Sequence, residues 1–144
     1  MKLPDYITAE EVRRVCRELG IRDWTALKRP EATADEAKRI LAEVNTGKMA
    51  IDPEQFRVGL GVELEHGTRF KDANVTNNHP IITGMIVLAH MKESLDYYLL
   101  LDVAEAEGDL TKAVASGNVE KTKKYYRKLS AARAALSEAE GRQV

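Results

Sequence analysis

The stretch Ile81-Ile-Thr-Gly-Met-Ile-Val-Leu-Ala-His-Met-Lys-Glu-Ser-Leu-Asp-Tyr-Tyr-Leu-Leu-Leu101 is the longest segment of the chain with apolar residues at helical spacing. That spacing places apolar side chains on one face of an α-helix, which packs against other helices. The predicted core-facing stripe is Ile86, Ala89, His90, Glu93, Tyr97 and Leu100. We therefore predict one uninterrupted helix over about residues 81–107, at the centre of an all-α protein.

Capping signals predict the helices that precede this segment. Thr8 and Thr33 each begin a Thr-x-x-Glu pattern, which is typical of the first turn of a helix. They predict a first helix over about residues 9–19 and a second helix after Thr33. Asp52-Pro53 predicts the start of a third helix, because Pro is favoured at the first helical position.

Glycine and connector signals predict where the remaining helices end. We expect the third helix to end near His66, before Gly67, and a polar loop pinned by its own side chains to follow over residues 67–80. A last helix is expected at about 119–140, after a connector over 108–118. Because no stretch alternates like a strand, we predict a single helical domain over residues 1–144, a bundle of about five helices.

Composition and charge narrow the class of protein. The 144 residues include 22 basic and 23 acidic side chains, so no overall field attracts nucleic acid, and the basic stretch 121–128 is interpreted as a solvated helix face. The longest apolar stretch, residues 81–89, is far below the ~20 residues of a membrane span, and residues 1–6 lack the apolar core of a signal peptide. Cys16 is the only cysteine, which excludes an intrachain disulfide. We expect a cytoplasmic protein with no membrane partner.

Two short segments predict the functional site. Glu63-Leu-Glu-His66 and His90-Met-Lys-Glu93 each place a carboxylate and an imidazole three residues apart, on one face of a helix. The second pair lies within the apolar stripe. Charged groups there are costly to bury unless they pair with each other or bind a metal.

The four side chains allow two interpretations. Glu63, His66, His90 and Glu93 suit one divalent zinc, iron or manganese ion, with no organic cofactor. Alternatively, Glu63 holds His90 and Glu93 holds His66 in a buried polar clasp without metal, as in a structural or interaction protein. The chain offers no nucleophile, nucleotide loop or triad, so an enzyme is the weaker hypothesis. His79, just before Pro80, is expected to be a loop residue near a helix start.

Three blocks of sequence resemble a family of uncharacterised bacterial and phage proteins. The blocks are Gln55-Phe-Arg-Val-Gly-Leu-Gly-Val-Glu-Leu-Glu-His-Gly67, Asn74-Val-Thr-Asn77 and Leu88-Ala-His-Met-Lys-Glu-Ser-Leu-Asp-Tyr-Tyr98. The family is recognised by Glu-Leu-Glu-His-Gly followed by Ala-His-x-x-Glu-x-x-Asp-Tyr-Tyr, and the similarity covers about residues 53–101.

The resemblance implies which residues belong together, but no activity. Its matching positions are Glu63, His66, His90, Glu93, Asp96 and Tyr97. Because the family has no assigned activity, it implies no catalytic residue. Its phage members imply the alternative of a virion or phage-encoded component. Leu95 stands where the family often has Pro, which favours an uninterrupted helix.

Apolar residues on several sides of the segment 81–107 predict assembly. One apolar stripe would satisfy an intrachain core, whereas this breadth requires enclosure or a partner. We predict a homo-oligomer, most simply a twofold dimer, or a complex with another protein.

Overall fold

The computed structural model describes residues 7–70 and 72–142. Its α-helices are α1 (Ala9–Leu19), α2 (Ala34–Val44), α3 (Pro53–Arg69), α4 (Pro80–Glu93), α5 (Tyr97–Ala115) and α6 (Val119–Gly141), with a short 3-10 helix (Trp24–Ala26) after α1. The all-α prediction is confirmed, since these ranges contain six α-helices and no strand. Residues 1–6, and residue 71 of the predicted loop 67–80, lie outside the described residues.

The chain divides into two compact units, Met1–Glu93 and Ser94–Val144. The single domain over residues 1–144 stays a prediction. Among the described residues, no helix combines the length and apolarity needed to cross a bilayer.

Predicted caps begin the helices of the first unit. The Thr8 hydroxyl accepts a hydrogen bond from the Glu11 amide at 3.2 Å, and α1 has the predicted bounds. Thr33 and Glu36 form a complete capping box at the start of α2. The Asp52 carboxylate accepts from the backbone amides at the start of α3. Each cap satisfies an amide that has no partner within its helix.

The predicted end of α3 is wrong, because the helix continues through Gly67 to Arg69. A side chain at position 67 would collide with the side-chain amide of Asn78. Glycine is therefore needed where α3 and the following loop approach each other closely. The following loop is pinned by its own side chains, as expected. The backbone amide of Asn77 donates to Asn74 Oδ1 at 2.9 Å, and the backbone amide of Asn78 donates to Thr76 Oγ1 at 3.3 Å.

Tight packing also explains two glycines inside the helices. A side chain on Gly61 of α3 would contact the Pro30 carbonyl oxygen at 3.0 Å, so a neighbouring backbone passes close to this helix. Gly84 of α4 faces Ile40 and Val44 of α2. The core of the first unit forms around these contacts, and its largest fully buried side chains include Trp24, Ile40, Phe56, Leu60, Leu64, Val87 and Met91.

The uninterrupted helix over 81–107 is also wrong, because the chain leaves the helical conformation between α4 and α5. Ser94 Oγ accepts a hydrogen bond from the Asp96 amide at 3.2 Å, and the Ser94 carbonyl accepts from the Tyr97 amide at 3.1 Å. A serine hydroxyl that bonds a nearby amide competes with the helical hydrogen bonds. Ser94 therefore ends the first segment even though position 95 is not proline.

The second unit is a hairpin of α5 and α6. Because α5 continues through Gly108 to Ala115, the predicted connector over 108–118 shrinks to three residues that include Gly117 in the left-handed conformation. The last helix begins at the predicted residue. Ion pairs cross the hairpin from Lys128 to Asp102 at 3.0 Å and from Arg133 to Glu107 at 2.6 Å.

Candidate functional site

Helices α3 and α4 bring three of the four predicted site residues together. Glu63 Oε2 lies 3.5 Å from His66 Nδ1 on the same helix, and Glu63 Oε1 lies 3.7 Å from His90 Nε2 on α4. The Glu63 side chain is only 8% exposed, whereas the His66 side chain is 58% exposed. A buried carboxylate thus lies between two imidazoles that come from different helices.

Glu93 lies at the edge of this arrangement. Its Oε2 atom is 3.9 Å from His90 Nδ1, and its side chain is 73% exposed. The predicted pair of Glu63 with His90 is confirmed. Glu93 was predicted to pair with His66, but in the structure it contacts His90. The four residues form a line, His66–Glu63–His90–Glu93, rather than a ring around one point.

The contacts along this line are ion pairs wherever the imidazole is protonated. Within residues 7–70 and 72–142, no group of three or more His, Cys, Asp and Glu side chains is placed to hold a metal ion. Asp96 and Tyr97, which the resemblance groups with the cluster, belong to the second unit.

A second buried carboxylate, Glu36, was not predicted from the sequence beyond its place in a capping box. It accepts hydrogen bonds from the Arg22 guanidinium at 2.7 and 2.8 Å, from Trp24 Nε1 at 3.3 Å and from the Thr33 amide at 2.8 Å. Burial alone raises the pKa of Glu36, but these donors outweigh it and lower the pKa to about 2. As a buried ion, Glu36 of α2 therefore holds Arg22 and Trp24, which lie in the connection between α1 and α2.

His79 caps α4 from the preceding loop, which confirms the expected position near a helix start. Its side chain is buried, and its Nδ1 atom accepts a hydrogen bond from the Ile82 amide at 3.3 Å. Nε2 lies 4.0 Å from Glu11 Oε1. Burial lowers the pKa of His79 and outweighs the opposing effect of Glu11, while Arg14 lowers this pKa further. The imidazole is therefore neutral in its capping role.

Acidification is expected to weaken this cap, because protonated Nδ1 cannot accept from Ile82. Since the folded pKa lies below the ordinary 6.5, the stabilisation is present above that pH and is lost as the pH falls below it. His79→Asn retains a capping acceptor that does not titrate. From about pH 7 to pH 5, wild type should therefore lose unfolding free energy relative to His79→Asn. Urea unfolding at each pH measures this difference, and parallel pH profiles would contradict the neutral cap.

The chain was compared with known proteins, and a family model matches it. The model of a family described as "Protein of unknown function (DUF5661)" matches residues 12–107, two thirds of the 144-residue chain. The matched range contains Glu63, His66, His90 and Glu93 and ends within α5. No curated protein and no solved structure matches the chain.

Proposed function

We propose that the chain, which belongs to the DUF5661 family of proteins of unknown function, is a non-enzymatic structural or interaction protein whose His/Glu cluster is a polar clasp between α3 and α4. One observation carries this proposal: the buried Glu63 carboxylate lies between His66 of its own helix and His90 of the next. A buried carboxylate requires partners of this kind, and partners on two helices restrict how the helices pack.

The surroundings of the clasp favour this role over catalysis. Enzymes hold their substrates in concave sites with converging polar groups. The exposed imidazole of His66 and the exposed carboxylate of Glu93 instead lie at the protein surface.

A second candidate function, binding of one zinc, iron or manganese ion, is favoured by the spacing of the same atoms. Two ligands about 2.1 Å from a tetrahedral ion are separated by about 3.4 Å. Glu63 Oε2 lies 3.5 Å from His66 Nδ1 and Glu63 Oε1 lies 3.7 Å from His90 Nε2, so each imidazole is close to that spacing from one oxygen of the carboxylate. Glu93 is exposed, so its side chain has room to turn toward an ion and complete the ligand set.

Three variants distinguish the clasp from the metal site. For a clasp, His90→Ala should lower the unfolding free energy by about 1–3 kcal/mol, with or without chelator, because Glu63 loses a partner on the facing helix. The double change Glu63→Leu with His90→Leu should recover most of this loss, since packed apolar residues can replace a buried ion pair. His66→Ala, at an exposed position, should cost less than His90→Ala.

Metal binding predicts a different pattern in the same measurements. Protein purified without a histidine tag would contain metal by elemental analysis, chelator would lower its stability, and His66→Ala and His90→Ala would both lose the ion. A metal-free wild type whose urea unfolding is insensitive to chelator would refute the metal site. If His90→Ala is as stable as wild type and both are metal-free, the clasp is wrong.

The remaining expectations stay predictions. They are the cytoplasmic location, with the virion as its alternative, the phage origin, and assembly into a homo-oligomer or with a protein partner.

A further inference from the structure

Helix α4 carries apolar residues on all sides. One side is buried in the first unit through Val87, Leu88 and Met91. The adjoining side carries Ile81, Met85 and Ala89, which follow one another at intervals of four residues, and Met85 is 57% exposed. We name these three residues the α4 ridge. Because a helix that is apolar all round is ordinarily covered on every side, the ridge is a candidate contact surface.

The α4 ridge forms one wall of a groove, since Ile81, Met85 and Ala89 are among the lining residues. The groove has a volume of about 550 Å³, and the end of α2, the loop that follows and Leu88 of α4 complete its lining. The loop wall is held in place because Asn45 Nδ2 donates to the Met49 carbonyl at 2.9 Å and Asn45 Oδ1 accepts from the Met49 amide at 3.0 Å. A preformed groove reduces the entropy cost of binding.

The charges that line this groove indicate which partner it fits. Glu43 on α2 and Lys92 on α4 are its only charged lining residues. In a twofold dimer, each contact between two different residues occurs twice, so Glu43 of one copy can face Lys92 of the other in both directions. With one charge of each sign, the surface does not repel a copy of itself, and the surrounding apolar residues are complementary to an identical surface.

We infer that the α4 ridge and its groove form a twofold interface that binds a second copy of this chain. The ridges of the two α4 helices pack across each other, as rows of residues four apart do in ordinary helix packing. Met85 of each copy enters the groove of the other, since an unbranched, flexible methionine fits an irregular apolar space. This inference gives a surface and a partner to the interaction role proposed above and does not depend on the clasp.

The oligomeric state of the full chain tests the inference first. A stable interface usually buries about 800 Å² per partner, so an interface of one helix and one groove should have a dissociation constant of micromolar order. Light scattering from about 1 to about 100 µM should therefore show the mass rising from 16.1 kDa toward twice that value. A monomeric mass at the upper concentration would overturn the inference.

A charge placed on the ridge tests the surface. Met85→Glu should raise the dissociation constant at least about tenfold, because a desolvated carboxylate would enter an apolar groove. Val114→Glu on α5 is the matched control, since Val114 is 59% exposed and the change is chemically similar. It should leave the dimer intact. An unchanged dimer in Met85→Glu, or equal dissociation in both variants, would overturn the assignment. Circular dichroism verifies that both variants are folded.

A charge swap tests the twofold arrangement. Glu43→Lys and Lys92→Glu should each weaken the dimer, and the double variant should restore it, because the pairing across the axis is then reversed. A double variant weaker than both single variants would contradict the pairing. The tests of the interface and of the clasp are separate. The clasp is tested by the unfolding free energy of His90→Ala, whereas the interface is tested by the molecular mass in solution.

Discussion

Replacing Glu36 with alanine is expected to lower the free energy of unfolding by about 3 kcal/mol. The change leaves the buried Trp24 indole and the Thr33 amide without their acceptor, and the Arg22 guanidinium without its buried partner. Trp24 is the only tryptophan and is fully buried against Glu36, so its fluorescence during urea unfolding reports directly on this part of the first unit.

A neighbouring carboxylate supplies the control for this prediction. Asp35 is 69% exposed and forms an ion pair with Arg39 at 2.7 Å on the surface of α2. Because exposed pairs contribute little, Asp35→Ala should cost no more than about 1 kcal/mol. Equal costs for the two variants would show that the buried network around Glu36 does not stabilise the fold.

The pH dependence of the unfolding free energy provides a second test of the role of Glu36. The pKa of Glu36 is about 2 in the folded protein, below its ordinary 4.5. The stabilisation from its ionised form is therefore fully present above about pH 4.5 and is lost as the pH falls toward 2. The difference in unfolding free energy between wild type and Glu36→Gln should be constant near neutral pH and should shrink over that acidic range. A difference independent of pH would contradict the lowered pKa.

Replacing Gly84 with valine is expected to cost about 3 kcal/mol or more, through overpacking between α4 and α2. A Cβ atom at position 84 would lie 2.5 Å from Ile40 Cγ2 and 3.4 Å from Val44 Cγ1, inside the core. Ile40, the nearer neighbour, has no space to move away, because it is fully buried. Thermal and urea unfolding followed by circular dichroism would measure the loss.

Gly108→Val is the matched control, because Gly108 also lies inside a helix but a Cβ atom there meets open space. This variant should be neutral or more stable by up to about 0.5 kcal/mol, since valine favours helix more than glycine does. A similar loss at both positions would mean that helix propensity, rather than the contact with Ile40 and Val44, determines the effect.

The proposed clasp and the proposed interface use different sides of α4. His90 faces Glu63 of α3, whereas Met85 lies among the groove residues next to α2. Both surfaces lie in the first unit, and the family match covers both. A helix held on one side and exposed on the other suits a protein that presents a rigid surface to a partner.

The sequence by itself determined the features that depend on neighbours three or four residues away. Thr8, Thr33 and Asp52 begin helices because each side chain accepts from an amide in the first turn that follows it. The all-α class and the start of α6 follow from the same local periodicity and capping. The Glu63–His90 pair was also predictable, since both residues are polar groups on faces that should pack.

Only the tertiary structure decided the features that depend on distant contacts. Arg22 and Trp24 lie outside α2, 14 and 12 residues from Glu36, so no pattern within one helix indicated the network that lowers the pKa of this carboxylate. Gly67 was predicted to end α3, but its missing side chain makes room for Asn78, and α3 continues. Propensities describe a residue and its near neighbours, whereas burial and close approach depend on which distant segment packs against it.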